Sequence, residues 1–353
     1  MANRIVYALG FTGLLLAGRT AFAQETLAFS VKEAVDYASK NSLQVKNALL
    51  DIKIQEQTNR EITSAAFPQL SGTINANDFI DLPVSLVPGE FFGQPAGTFA
   101  EIKFGTKYSA TLGLSLKQLL FDGQVFVGLQ ARAASIALAQ KNVEITEENI
   151  KANIYKIYYQ LVVGKTQMST IDANINRTSE LLKDTKVIYQ NGFAEKLDVD
   201  KLEVTLANLN TEKIKLQNQL DAGMLALKLL MGMPARQELK LTDTLSDSQL
   251  KDGLLEGNYS YKDRKDYQQL EILADLRKYN IKRYKMSYIP TVSLTGNYNK
   301  NAQRNSFDFF KSGRPWFTTT IIGLSIDVPI FDGFGRAARV QKARYELQQT
   351  QNN

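Results

Sequence analysis

Chemistry in this chain has to start from a narrow set of side chains. None of its 353 residues is Cys or His. That removes thiol nucleophiles, Ser–His and Cys–His dyads and the common zinc sites. Asp, Glu, Lys and Tyr remain, but nothing in the composition favours them as acid–base groups. The chain is therefore read as not an enzyme, with no catalytic residue, no cofactor and no metal. Two glycine patterns resemble nucleotide sites. Gly333-x-Gly335-x-x-Ala338 is close to the G-x-G-x-x-G/A fingerprint that sets a pyrophosphate on a helix N-terminus. A dinucleotide site needs a whole βαβ unit and an acidic residue about twenty positions on, and only eighteen residues follow Gly335. The preceding strand also alternates, whereas a buried parallel strand is continuously apolar. Gly13-x-x-x-x-Gly18-Arg19-Thr20 mimics a P-loop, but it has Arg in place of Lys and follows no strand.

That second pattern lies in a targeting segment. Arg4 precedes an apolar run from Ile5 to Ala17, and Ala21-Phe22-Ala23 is a small-x-small cleavage site, so residues 1–23 read as a signal peptide. Removing Arg4 and Arg19 lowers the formal charge from +6 to +4. The positive charges form no dense run, which argues against nucleic acid. No later stretch is long and apolar enough for a transmembrane helix. Transmembrane β-strands need only short alternating segments and stay open.

Such segments are present, and they are duplicated. LGLSLKQLLFDG (112–123) recurs as IGLSIDVPIFDG (322–333), and FPQLSGTINAN (67–77) as IPTVSLTGNYN (289–299). Tyr108, Ala110, Leu112, Leu114 and Leu116 alternate with Ser109, Thr111, Gly113, Ser115 and Lys117. Ile322, Leu324, Ile326 and Val328 repeat the apolar half. Period two makes each segment a strand with one apolar and one polar face. The polar faces are Ser, Thr and Asn with few charges. They suit a wet lumen, with Ser71, Thr73, Asn75, Ser293, Thr295 and Asn297 facing it and the apolar residues meeting lipid. A soluble amphipathic hairpin over a core is the competing reading. Residues 79–106 and 300–316 read as hairpin loops.

Long helices must position these strands. Ser30-x-x-Glu33 is a capping box that opens a helix running to about residue 66. Apolar residues at 150, 154, 157, 161, 168, 171, 175, 182 and 189 form a seam of about six heptads, with Gly164, Thr178 and Thr185 filling its gaps. A helix over 124–190 would be roughly 100 Å long. Asn191-Gly192 ends it, and Val199 to Leu230 form a second seam, with Lys213 and Gly223 as weak positions. That helix folds back antiparallel and stops at Met231-Gly-Met-Pro234. A last full helix spans about 262–288. At each Phe-Asp-Gly a strand becomes a helix: Asp122 and Asp332 cap the helix starts, and Gly123 and Gly333 turn the backbone. Both corners are expected at one level.

Pro68 and Pro290 opening strands, Phe121-Asp-Gly123 and Phe331-Asp-Gly333 closing them, Tyr189-Gln-Asn-Gly-Phe-Ala-Glu-Lys-Leu-Asp-Val199 at the helical turn and Leu229-Leu-Met-Gly-Met-Pro234 occur together and in order. In this combination the chain resembles the TolC-like outer-membrane efflux proteins over essentially its whole mature length. The resemblance implies an α+β membrane protein of the cell outer membrane. Its four strands would contribute to a homotrimeric twelve-stranded β-barrel, continued by a periplasmic tunnel of antiparallel α-helical coiled coils. It implies an exit duct for a tripartite efflux pump or type I secretion system, working with a periplasmic adaptor and an inner-membrane transporter. Gly192, Phe193 and Ala194 would contact the adaptor. An exported structural coiled-coil protein without transport is the alternative.

The organisation expected is a signal peptide (1–23) followed by a duplicated helix-strand-strand-helix repeat. The first repeat covers 24–234, with strands near 68–78 and 107–119 and a helical hairpin 124–232 turning at 190–194. A connector, 235–260, leads to the second repeat, 261–353, with strands near 290–299 and 317–329. Only twenty residues follow Gly333, so the second repeat reads as truncated within its helix, without a second helical hairpin. Asp198 and Asp200 near the surviving tip read as solvated helix charges.

Overall fold

The computed structural model of the chain describes residues 27–244 and 260–353. The signal-peptide segment and most of the 235–260 connector lie outside them. The described residues fall into two compact units. One holds the residues up to Leu50 and Asn142–Tyr261, the other Asp51–Lys141 and Lys262–Asn353.

In chain order the elements are β1 (Leu27–Phe29), α1 (Val31–Asn41), α2 (Leu43–Ser64), β2 (Gln69–Asp78), β3 (Val84–Pro88), β4 (Phe99–Lys103), β5 (Tyr108–Phe121), α3 (Gly123–Gln190), α4 (Lys196–Met231), β6 (Leu239–Leu241), α5 (Lys265–Met286), β7 (Thr291–Arg304), β8 (Phe317–Asp327) and α6 (Gly335–Asn352).

The second unit is built on a four-stranded antiparallel sheet of order β2-β5-β7-β8. Its two hairpins share one register. Gln69 pairs with Lys117 and Thr73 with Gly113; their counterparts in the repeat, Thr291 with Asp327 and Thr295 with Gly323, pair likewise. β7 runs on to Arg304, beyond the expected end near 299, because Asn301, Ala302 and Gln303 keep their partners Thr111, Ala110 and Ser109. β8 stops at Asp327, two residues short of Pro329, which has no N–H to donate. The 79–106 loop contains a hairpin of its own: β3 pairs with β4 from Val84–Lys103 to Pro88–Phe99. In the same unit Asn59 of α2 is buried against α3, donating to Arg132 O at 3.2 Å and accepting from Ser135 Oγ at 3.1 Å. The ion pair Arg277–Glu346, at 3.1 Å, ties α5 to α6.

The first unit holds the apolar core: Val31, Ala34 and Ala38 of α1, Ile150, Ile154, Tyr158 and Leu161 of α3, Leu227 and Met231 of α4, and Leu241. The α3 and α4 seams meet antiparallel, with Lys186–Glu203 and Asp172–Lys213 ion pairs both at 2.7 Å. The seam glycines are close-approach positions. A Cβ on Gly164 would stand 2.6 Å from Leu220 Cδ2, and one on Gly223 3.0 Å from Leu161 Cδ2. Each glycine opens the hole into which the partner helix's leucine fits.

The helix expected from residue 30 to 66 is interrupted. Its capping box forms, with Glu33 N donating to Ser30 Oγ and Ser30 N donating to Glu33 Oε2. The Ser30 donors hold the Glu33 carboxyl below its ordinary pKa. At Ser42 the backbone leaves the helix (ψ 130°) and α2 restarts at Leu43. The cause is the end of α4. Gly232 adopts φ +72°, its N–H donates to Leu229 O, and Met233 N–H donates to Lys228 O, a Schellman motif. This corner presses so closely on the break that a Cβ at Gly232 would sit 2.3 Å from Asn41 O.

The connector also carries an element the sequence did not announce. β6 lies parallel to β1, Leu27 opposite Leu239 and Phe29 opposite Leu241. Tyr158 pins the pair: its hydroxyl donates to Phe29 O at 2.8 Å and accepts from Asp243 N at 3.1 Å. The Asp243 carboxylate in turn accepts from Val31 N at the start of α1. Burial raises the Tyr158 pKa.

Candidate functional site

Three features are candidates: the sheet's polar face, the two strand-to-helix corners and the α3–α4 turn. The polar face is assembled by the register. Ser71, Ser115, Asn297 and Ile321 stand level across the four strands, followed by Thr73, Gly113, Asn299 and Thr319, and by Asn75, Thr111, Asn301 and Phe317. Facing residues share a face, so Ser71, Thr73, Asn75, Ser293, Thr295 and Asn297 lie on one side. Hydrogen bonds knit it: Thr111 Oγ1 donates to Asn301 Oδ1 at 2.9 Å, and Asn77 Nδ2 to Ser109 Oγ at 3.2 Å. Gly113 is required by crowding, since a Cβ there would lie 2.7 Å from both Thr73 Oγ1 and Asn299 Oδ1. Ser71, Thr73 and Asn75 are exposed, Thr295 and Asn297 half-buried, and Ser293 is buried. Ile321 and Phe317 interrupt the polar face on β8.

The opposite face carries Leu70, Ile74, Leu112, Leu114, Ile322, Leu324 and Ile326, all exposed; Ile74 is 80% and Ile322 77% accessible. The core cluster of the first unit contains no residue of this sheet. A soluble sheet buries its apolar face; this one leaves it largely exposed on β2, β5 and β8, while on β7 Val292 and Leu294 are half-buried and Ala302 is buried.

The two Phe-Asp-Gly corners differ. At the first, Asp122 caps α3: its Oδ1 accepts from Gln124 N at 2.7 Å and its carbonyl from Phe126 N at 3.1 Å. Gly123 does not have a left-handed backbone. It is needed because a Cβ there would come within 2.9 Å of Met286 Cβ. At the second corner the order reverses. Gly333 has open space around it but φ +64°, and Phe334 follows at φ +66°, a conformation rare outside Gly, Asn and Asp. Asp332 accepts from Arg336 N at 2.9 Å and pairs with the guanidiniums of Arg336 and Arg339. Nor are the corners level along the sheet. Phe121 stands opposite Val292, which stands opposite Ile326, so Asp122 reaches the level of Asp327, five residues before Asp332. Two causes add. Leu112 is level with Thr318, four residues short of its counterpart Ile322. A bulge between Leu119 and Phe121 adds the fifth.

The α3–α4 turn is a second Schellman motif. Gly192 (φ +82°) donates to Tyr189 O at 2.9 Å and Phe193 N to Ile188 O at 3.1 Å. The motif aims Phe193 outward, 85% exposed, beside exposed Ile188, Tyr189 and Leu197, while Ala194 is half-buried. Asp198 and Asp200 are solvent-exposed at the start of α4. Among the described residues no group of three or more Asp or Glu is placed to hold a metal ion, and no helix is long and apolar enough to cross a membrane.

No protein-family model matches the chain. It is 21% identical over 245 residues to the proteases secretion protein PrtF of Dickeya chrysanthemi, covering 67% of this chain and 52% of that protein. The chain thus spans about half the length of that relative. It is 21% identical over 354 residues to the outer membrane efflux protein BepC of Brucella suis, covering 95% of this chain and 68% of BepC. The solved structure of CusC superposes with a TM-score of 0.64 at 17% identity, covering 95% of this chain and 73% of CusC. The Campylobacter jejuni CmeC outer membrane channel superposes at 0.65 and 16% identity, covering 91% of this chain and 66% of CmeC. The sequence relatives matched are thus a protease secretion protein and an outer membrane efflux protein, and the fold is that of the TolC-like outer-membrane channels.

Proposed function

We propose that the chain is the exit channel of an efflux pump or type I secretion system, a passive outer-membrane duct. The observation that carries this reading is the two-faced sheet: a face made mostly of Ser, Thr and Asn, and an apolar face that among the described residues is largely exposed on β2, β5 and β8. In lipid the apolar face needs no cover, and the polar face lines water. Four strands cannot close a barrel, so three copies supply twelve, with Ser71, Thr73, Asn75, Thr295 and Asn297 towards the lumen and Ser293 packed low on the same face. A structural coiled-coil protein would account for the α3–α4 seam but gives the exposed Ile74 and Ile322 no role.

The α3–α4 turn is the docking point for a periplasmic adaptor, which couples the duct to an inner-membrane transporter. Its exposed Phe193 supports this, since a large apolar ring projecting from a helical tip stabilises nothing within the chain. Gly192 shapes the turn and Ala194 flanks it. The corners at Asp122–Gly123 and Asp332–Gly333 mark where strands in the bilayer give way to helices in water. Reconstitution into lipid vesicles tests the proposal. Purified protein should render them permeable to small sugars, and intact trimers that leave them sealed would refute it.

A further inference from the structure

A lysine interrupts the apolar face of the sheet. Lys300 of β7 stands between Leu112 of β5 and Thr318 of β8, and Leu112 in turn faces Ile74 of β2. The other charges on this face, Asp78 and Arg304, lie at its last level, on either side of Tyr108. Lys300 is exposed, and among the described residues no carboxylate pairs with it. Beyond Arg304 the β7–β8 loop folds back on the same face. Phe307 meets Tyr108 edge-on at 5.8 Å, and the buried Asp308 carboxylate lies 3.4 Å from Arg304 Nε and 2.9 Å from Arg314 Nε. Arg304 is largely covered there, whereas the Arg314 side chain stays 53% exposed. Asp308 therefore holds an accessible guanidinium at the outer end of the face that carries Lys300.

The cost of a cation on a lipid-facing strand depends on its depth. Under the channel reading, on which this inference rests, the hydrocarbon band begins at Val292, which faces Phe121 at the first corner. From Val292 to Lys300 the strand rises about 27 Å, which a tilt of about 40° turns into about 20 Å of a band about 25 Å tall. The four-carbon stem of Lys300 can run outward along the apolar face and lift the ammonium to the head groups. Arg304, at about 31 Å by the same reckoning, stands just above the band. The two levels bracket the lipid phosphates. We infer that Lys300 and Arg314 hold the phosphate of an outer-leaflet lipid, one on each copy's outward surface. The anion has to come from the lipid. The chain offers Lys300 no carboxylate, and a free anion is too costly to bring into hydrocarbon. A lipid phosphate arrives with acyl chains that lie along exposed Leu112, Ile322 and Leu324. The Thr318 and Tyr298 hydroxyls, opposite and two residues before Lys300 on the same face, can donate to its oxygens.

Delipidated protein in detergent, titrated with bis-phosphorylated lipid A and read by native mass spectrometry, tests this. Lys300→Leu is the informative variant, because leucine suits the apolar face and the strand keeps its fold. It should bind the lipid about fivefold more weakly, and Lys300→Leu with Arg314→Gln about 25-fold, at about fivefold for each cation removed. Dephosphorylated lipid A should bind the parent as weakly as the phosphorylated lipid binds the double variant. Lys117→Gln removes a lysine from the polar face, level with Gln69 and Thr295, and should change nothing. Inorganic phosphate in large excess should not displace the lipid. Parental binding by Lys300→Leu, equal binding of the dephosphorylated lipid, or an equal loss in Lys117→Gln overturns the inference. Displacement by inorganic phosphate overturns the lipid assignment. Any of these in protein that still conducts in a bilayer leaves the channel reading standing. A chain that stays in the aqueous phase and binds no lipid overturns both.

Discussion

Two glycines sit in the same helix-ending motif for different reasons, and replacing each with alanine separates them. Gly192 and Gly232 have φ +82° and +72°. A left-handed backbone at alanine costs about 1–2 kcal/mol, and the stiffer unfolded chain returns about 0.4–1 kcal/mol. Gly192→Ala, whose Cβ would meet nothing within 4 Å, should therefore lose at most about 1.6 kcal/mol. At Gly232 the new Cβ would lie 2.3 Å from Asn41 O, 2.8 Å from Asn41 C and 3.1 Å from Ser42 Cα. These are backbone atoms and cannot rotate away. Overpacking adds about 1–3 kcal/mol, so Gly232→Ala should lose about 1–4.6 kcal/mol in all, exceeding the Gly192→Ala loss by that about 1–3 kcal/mol. Urea unfolding of the detergent-solubilised protein measures both losses. Hydrogen exchange should rise across Ala38–Lys46 in Gly232→Ala alone. Equal losses to within about 0.5 kcal/mol would show that the α4 corner does not hold the α1–α2 break in place.

Tyr158→Phe should lose about 1–3 kcal/mol, because Phe29 O and Asp243 N are left without their shared hydroxyl; faster exchange at β1 locates the damage. Glu33 gives a pH signature. Its carboxyl titrates below its ordinary value when folded, so the unfolded chain binds the proton more tightly. The cap's contribution is complete above the unfolded pKa and is lost as pH falls through the lowered folded one. Amide exchange at α1's first turn should rise on acidification, and Glu33→Gln should abolish the dependence. Phe193→Ser should leave stability within about 0.5 kcal/mol of the parent, since the ring is exposed. It should also weaken capture of the cognate adaptor in a pull-down; unchanged capture removes the tip from the docking role. Asp308 is buried between Arg304 and Arg314 in the β7–β8 loop. Asp308→Asn leaves the half-buried Arg304 without its counter-charge, and protease cleavage of residues 305–316 should accelerate.

What the sequence disclosed followed the length of each signal. The fourteen residues of β5 alternate long enough to declare a strand with two faces, and the heptads of α3 declare a seam. β1 and β6, three residues each, are too short to show a period, and their partners lie over two hundred residues apart. β3 and β4 hide in a stretch whose prolines and glycines read as loop. Identical motifs also concealed different physics. Phe-Asp-Gly needs its glycine at 123 for the approach of Met286 and at 333 for a left-handed backbone. Gly164 reads as filling a gap in its seam and Gly223 as a weak position, yet they admit Leu220 and Leu161. The helix break at Ser42 was invisible because its cause, Gly232, lies far along the chain at the end of α4. The residues of the polar face were legible in type and alternation. Ser293 shows the limit, since burial depends on neighbours that alternation does not report.

The polar face as the wall of an aqueous path is tested most directly by single-channel recording with cysteine accessibility. Wild-type trimers in a planar bilayer should give discrete conductance steps. A charged thiol reagent should lower those steps in Thr73→Cys and Asn299→Cys, whose positions share the polar face, and leave Ile74→Cys unchanged. Folded trimers that conduct nothing, or a conductance that responds at Ile74→Cys and not at Thr73→Cys, would contradict a duct lined by this face of the sheet.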